Sequence, residues 1–172
     1  MIWLLPGALL LSLVCSSLTP GQAQAQDEAG NQLVQAKALM RGAAASQPQA
    51  RALFKVAAQQ GSGPAAYYLG LMHKNGLGGP LDTASAISWL ALAAQRGVAP
   101  AMFILANLLQ TIDETQARHW LDAACAQEYP EALMQKAIVT NDGTMGYERS
   151  EAQSALLFRM AEHAMGHRGQ EP

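Results

Sequence analysis

The chain repeats itself. Shifted by 36 residues, Leu53 falls on Trp89, Ala57 and Ala58 on Ala93 and Ala94, Gly61 on Gly97, Ala65 on Ala101, and Leu69 on Leu105. The same shift carries Ala29 onto Ala65, Leu33 onto Leu69, Ser46 onto Asp82 and Ala50 onto Ala86. The next step is 31 residues and takes Asp82 to Asp113, Ala86 to Ala117, Trp89 to Trp120 and Ala94 to Cys125. The last step is about 38 and takes Ala117 to Ala155 and Trp120 to Phe158. Several anchors recurring at such a spacing signal an array of small units, none able to bury its own apolar face alone. Four units are expected, at about 29–64, 65–100, 101–131 and 132–168.

Each unit reads as two helices. In the second, Pro64 stands at a helix start, where its missing N–H costs nothing. Ala65, Tyr68, Leu69 and Met72 then form one apolar stripe at helical spacing. The run "NGLGGP" ends this helix, and Asp82 caps the next by accepting from its free amides. Ala86, Trp89, Ala93 and Ala94 are expected on one face, with Trp89 filling the space where the pair diverges, and Gly97 closing the helix. In the third unit "LLQTIDETQ" replaces the glycine-rich loop and predicts a tight turn.

The spacing resembles the Sel-one-like repeat family, a branch of the tetratricopeptide-like solenoids. Its motif is met in unit two by Ala65, Leu69, Gly70, Gly76, Gly78, Asp82, Ala86, Trp89, Ala93, Ala94 and Gly97. The resemblance implies an all-α fold, a right-handed α-solenoid of about four helix-turn-helix repeats. It also implies a concave face lined by the first helix of each unit. The places that would face a partner there are Tyr67, Leu71, Lys74 and Asn75, then Phe103, Asn107, Gln110 and Thr111, then Met134, Ile138, Asn141 and Asp142, with Asn31 heading the column in unit one. Three departures stand out: His73 holds the family's Tyr place, Lys136 holds a Leu place, and the paired cysteines of the family's disulfide-bearing branch are missing.

Composition narrows the function. The net charge is −2, without the concentrated basic surface that nucleic acid requires. The apolar run Ile2–Val14 followed by Ala23-Gln24-Ala25 reads as a signal peptide over 1–25, cleaved after Ala25, although no Lys or Arg precedes it. The remaining 26–172 form one repeat domain with no membrane span, expected to be periplasmic or secreted. Cys125 is then the one cysteine left; it reads as a small buried side chain rather than a reactive thiol.

No nucleophile, zinc or phosphate-cradle motif occurs in the sequence. His163 and His167 share a helical face but lack a third ligand, so no metal and no cofactor is expected. His73 reads as a half-buried replacement for Tyr, and His119 as solvent-facing. The expected role is therefore a monomeric, non-catalytic adaptor or scaffold that holds another protein. Family resemblance keeps three alternatives: an immunity protein against a secreted toxin, a structural envelope component, and a β-lactamase-like or peptidoglycan-related enzyme.

Overall fold

A computed structural model describes residues 20–167; the apolar run Ile2–Val14 of the expected signal peptide lies outside them. Among the described residues eight α-helices follow one another: α1 (Pro20–Arg41), α2 (Gln47–Gln59), α3 (Gly63–Asn75), α4 (Thr83–Gln95), α5 (Ala99–Leu109), α6 (Glu114–Ala126), α7 (Pro130–Asp142) and α8 (Glu151–His167). A single 3-10 turn, Ala44–Ser46, precedes α2. The expected cleavage point after Ala25 falls inside α1. Among the described residues no helix is long and apolar enough to cross a membrane.

The helices pack as four antiparallel pairs, and each pair leans on the next in chain order. Local chemistry sets their ends. Ser62 accepts from the Ala65 amide at 3.2 Å, and Pro64 sits in the first turn of α3. Asp82 caps α4 through the Ser85 amide at 3.0 Å, and Asp113 caps α6 through the Gln116 amide at 3.0 Å. Unpaired amides at a helix start make such acceptors worth about 1 kcal/mol each. The short α5–α6 connection is as tight as its sequence predicts.

The core is a continuous seam of small and branched side chains. Ala86, Leu90, Ala93 and Ala94 are buried in α4, and Ala117, Leu121, Ala124 and Cys125 in α6. This corrects the expected placement of the two tryptophans. Trp89 and Trp120 are only half-buried, whereas Leu90 and Leu121, one position on, are fully enclosed. One residue turns a helix by roughly 100°, enough to carry the broad indoles to the margin of the seam. Gly70 explains how closely α3 and α4 meet: a Cβ there would lie 2.7 Å from Leu90 Cγ. Gly78 does the same between units, since at φ +70 its Cβ would stand 2.5 Å from the Gln47 carbonyl oxygen.

Unit four departs from its expected register. Ser150, not an Asp, starts α8: its hydroxyl accepts from the Gln153 amide at 3.2 Å and its carbonyl from Ser154 N–H at 3.0 Å. The step from the Asp113 cap is therefore one residue shorter than expected. Ser154, Leu157 and Ala161 take the buried places, while Ala155 and Phe158, the expected counterparts of Ala117 and Trp120, are exposed.

Candidate interaction site on the first helices

The sequence-predicted column on α3, α5 and α7 falls on neighbouring helix faces. Gln135 Nε2 of α7 donates to Asn107 Oδ1 of α5 at 2.8 Å, so these two first helices lie side by side. Tyr67 and Phe103 are half-buried, and Leu71 and Lys74 are also half-buried. Asn107, Gln110, Met134, Ile138 and Asn141 are exposed, as are Asn31, Asn75, Thr111 and Asp142.

The aromatic residues converge more than the column alone suggests. Phe103 meets Tyr129 with ring centroids 5.6 Å apart. Tyr67 meets Tyr68 edge-on at 5.2 Å, Tyr68 stacks on Phe54 at 5.3 Å, and Lys37 of α1 lies 5.0 Å over the Tyr68 ring. The Tyr67 hydroxyl is held above the ordinary tyrosine pKa, first by burial and then by Tyr129, Tyr68 and Glu131. Tyr129 and Glu131 belong to the start of α7, two pairs further along the array.

Sequence reading missed Tyr129, Tyr68, Lys37 and Gln135 as members of this face. Tyr129 stands just before Pro130, at the N-cap position of α7. Its sequence signal is the place it shares with Val98 one unit earlier, where a ring replaces a small branched side chain.

The other singled-out residues sit elsewhere. His73 is half-buried; Arg51 of α2 bonds its Nδ1, and Asp82 Oδ2 stands 4.0 Å away. Its pKa is lowered by burial first and by Arg51 and Lys55 next, against the pull of Asp82. Asp82 in turn is lowered mainly by the bond it accepts from the Ser85 hydroxyl at 2.6 Å. Cys125 is buried, and burial pushes its thiol up to about 11, the opposite of what a nucleophile needs.

His119 is exposed and meets Trp120 edge-on at 4.9 Å. α8 reaches His167, but the His167 side chain lies outside the described ones. Among the described residues no group of three His, Cys, Asp or Glu is placed to hold a metal ion. Lys136 forms an ion pair with Asp122 Oδ1 at 2.7 Å, and the Tyr147 hydroxyl donates to the same oxygen at 2.8 Å. Burial first, and then the bond to Asp122, pushes the Tyr147 hydroxyl far above the ordinary tyrosine range.

Comparison with known proteins follows the helix pairs. The Sel1 repeat profile matches residues 34–62, 63–98 and 99–129, more than half of the chain. Over 83 residues the chain is 37% identical to the uncharacterized protein NMB1327 of Neisseria meningitidis serogroup B, covering 48% of this chain and 18% of that protein. The chain thus spans less than a fifth of this relative's length.

Two solved structures share the fold. One is a Sel1 repeat protein from Oxalobacter formigenes, with TM-score 0.68 and 17% identity over 88% of this chain and 63% of that one. The other is c5321, a protective antigen present in uropathogenic Escherichia coli strains and displaying an SLR fold, with TM-score 0.73 and 24% identity over 86% of this chain and 33% of that one. Repeat spacing, paired helices and profile agree: the chain belongs to the Sel1 repeat family, as an all-α solenoid.

Proposed function

We propose that this chain is an exported, non-catalytic adaptor that holds a protein partner against the Tyr67–Phe103 face of its first helices. Sel1 repeats typically serve protein interaction. The observation that carries the finer reading is the aromatic run Tyr67–Phe103–Tyr129 bordered by exposed amides and by Met134 and Ile138. Half-buried rings offer contact area with little conformational entropy left to lose, and amides form a polar rim. The absence of catalysis is supported by the buried Cys125, with its thiol raised by burial, and by a sequence without a nucleophile motif. Steady nitrocefin hydrolysis by the pure protein would count against it.

Affinity capture from cell-envelope extract tests the binding reading. The exposed pair Met134→Ala with Ile138→Ala removes contact area at little cost to folding and is expected to weaken capture by roughly tenfold or more. Tyr67→Ala with Phe103→Ala should weaken it further, with some loss of stability. Undiminished capture by all four substitutions together would sink the reading. Export rests on the residues before Gln26, and mass analysis of envelope protein should find the mature chain beginning there. An intact Met1 on protein in the cytoplasmic fraction would end that part.

A further inference from the structure

α8 is the last described helix, and its core-facing residues are Ser154, Leu157 and Ala161, with Ala164 half-buried. The side turned furthest from them carries Ala152, Ala155, Arg159, Glu162 and Gly166, spaced three or four residues apart and all exposed. Large apolar side chains flank this ridge: Phe158 and Met165 on one side, Leu156 and Met160 on the other, each 38–49% exposed. Beside Met160 opens a cavity of about 200 Å³, lined by Leu133 and Ala164 and edged by Glu128, Arg159 and His163.

The first described helix is built the opposite way. Asp27, Glu28, Asn31, Gln35 and Arg41 are exposed on α1, and among its described residues Val34 is the one large apolar side chain exposed with them. α8 exposes four large apolar side chains instead.

We propose that α8 is a self-association surface, pairing antiparallel with α8 of a second copy across a two-fold axis. The ridge is complementary to its own reverse. Read forward on one copy and backward on the other, Ala155 meets Gly166, Arg159 meets Glu162, Glu162 meets Arg159 and Gly166 meets Ala155. The small residues let the two backbones approach; a Cβ at Gly166 would meet nothing within 4 Å in the single chain. The central charges pair twice. On the flanks Phe158 comes beside Met165 of the second copy, and Leu156 beside His163, with Met160 near the axis.

A parallel pairing would instead set Arg159 on Arg159 and Glu162 on Glu162, like charges in contact, and is disfavoured. Head-to-tail docking of α8 onto α1 offers the apolar flanks little beyond Val34. A two-fold pairing also closes on itself, so it yields a dimer and not a fibre. The proposal departs from the sequence expectation of a monomer, and the sedimentation experiment decides between the two.

Sedimentation equilibrium of the full chain tests the idea, over roughly 1–200 µM because dimer population follows concentration. The expected result is a reversible monomer–dimer equilibrium. Arg159→Glu and Glu162→Arg should each weaken the dimer by roughly tenfold or more, by turning attraction into repulsion. The double exchange of both should restore much of it, because the pairs re-form with reversed sign. Phe158→Ser should weaken the dimer without any rescue by charge. Circular dichroism of each variant reports whether α8 still folds. A chain that stays monomeric throughout overturns the proposal and leaves the α8 face to a helix of another protein. A dimer indifferent to the single charge changes, or one weakened by both and not restored by the exchange, overturns it equally.

Discussion

Units two and four use different chemistry at matched places of their first helices. At matched places on the first helix, unit two has Leu69, Gly70 and His73 where unit four has Lys136, Ala137 and Thr140. In unit two the glycine lets Leu90 sit against the backbone of α3, and the contact is apolar. In unit four the place of Leu69 is taken by an ammonium held by Asp122 of α6, across the junction with unit three, and the Tyr147 hydroxyl shares that carboxylate. Lys136 Nζ also lies 5.4 Å from the Tyr147 ring centroid. Repeat anchors therefore fix where helices run, while side chains at matched places are free to take different partners.

The largest expected effects come from attacking the apolar closure. Leu90→Ala and Leu121→Ala remove fully buried side chains and should each cost about 2–5 kcal/mol in denaturant melts. Trp89→Ala and Trp120→Ala, half-buried, should cost less than their leucine neighbours. The reverse order would mean that the indoles, not the leucines, carry the seam. Gly70→Ala is expected to cost about 1–3 kcal/mol by overpacking against Leu90, although the matched places in units three and four, Ala106 and Ala137, already hold that residue.

Unit four should respond more gently to apolar replacement. Lys136→Leu installs the side chain that unit two uses. A half-buried ion pair is exchanged for apolar contact, and the half-exposed Asp122 keeps its bond from Tyr147. The stability change should stay within about 1 kcal/mol of zero. Thr140 is 1% exposed, and its hydroxyl has no hydrogen-bond partner among the described residues. Thr140→Val, nearly the same shape, should therefore be neutral or stabilising by up to about 1 kcal/mol. A loss of several kcal/mol from either would show that the polar groups of unit four are required and not merely tolerated.

The smallest effect is a matter of pH at the junction of units one and two. His73 accepts from Arg51 while neutral, and the fold holds its pKa below the ordinary value of 6.5. The folded state thus binds the proton less readily than the unfolded chain. The stability His73 contributes is complete above that ordinary value and is lost as pH falls toward the lowered one. Between about pH 7.5 and 5 the native chain should lose more stability than His73→Tyr, which restores the family's residue and cannot gain a proton there. Parallel pH profiles for the two chains would remove His73 from the account.

How much was legible follows from where the information lies. Helix ends were readable because Pro64, Asp82, Asp113 and the glycine-rich run are local signals, each acting within a turn of itself. The depth of Trp89 against Leu90 was not, because one residue of helical phase depends on how the pairs tilt. The register of α8 was misread because Ser150 replaced the aspartate whose spacing carried the alignment. The order of the first helices was readable from the repeat. The meeting of Phe103 with Tyr129 was not, because it depends on how α5 and the start of α7 stack.

The central claim open to test is the proposal that the Tyr67–Phe103 face of the first helices receives the partner. A photo-crosslinking amino acid placed at Asn107, exposed on α5, can be compared in living cells with the same group at Ser88 on α4 and at His119 on α6. All three places are exposed, so the substitutions leave the core intact. A partner band formed from position 107 and absent from 88 and 119 is the predicted result. A band from 88 or 119 with none from 107 would contradict it and move the interaction to the second helices.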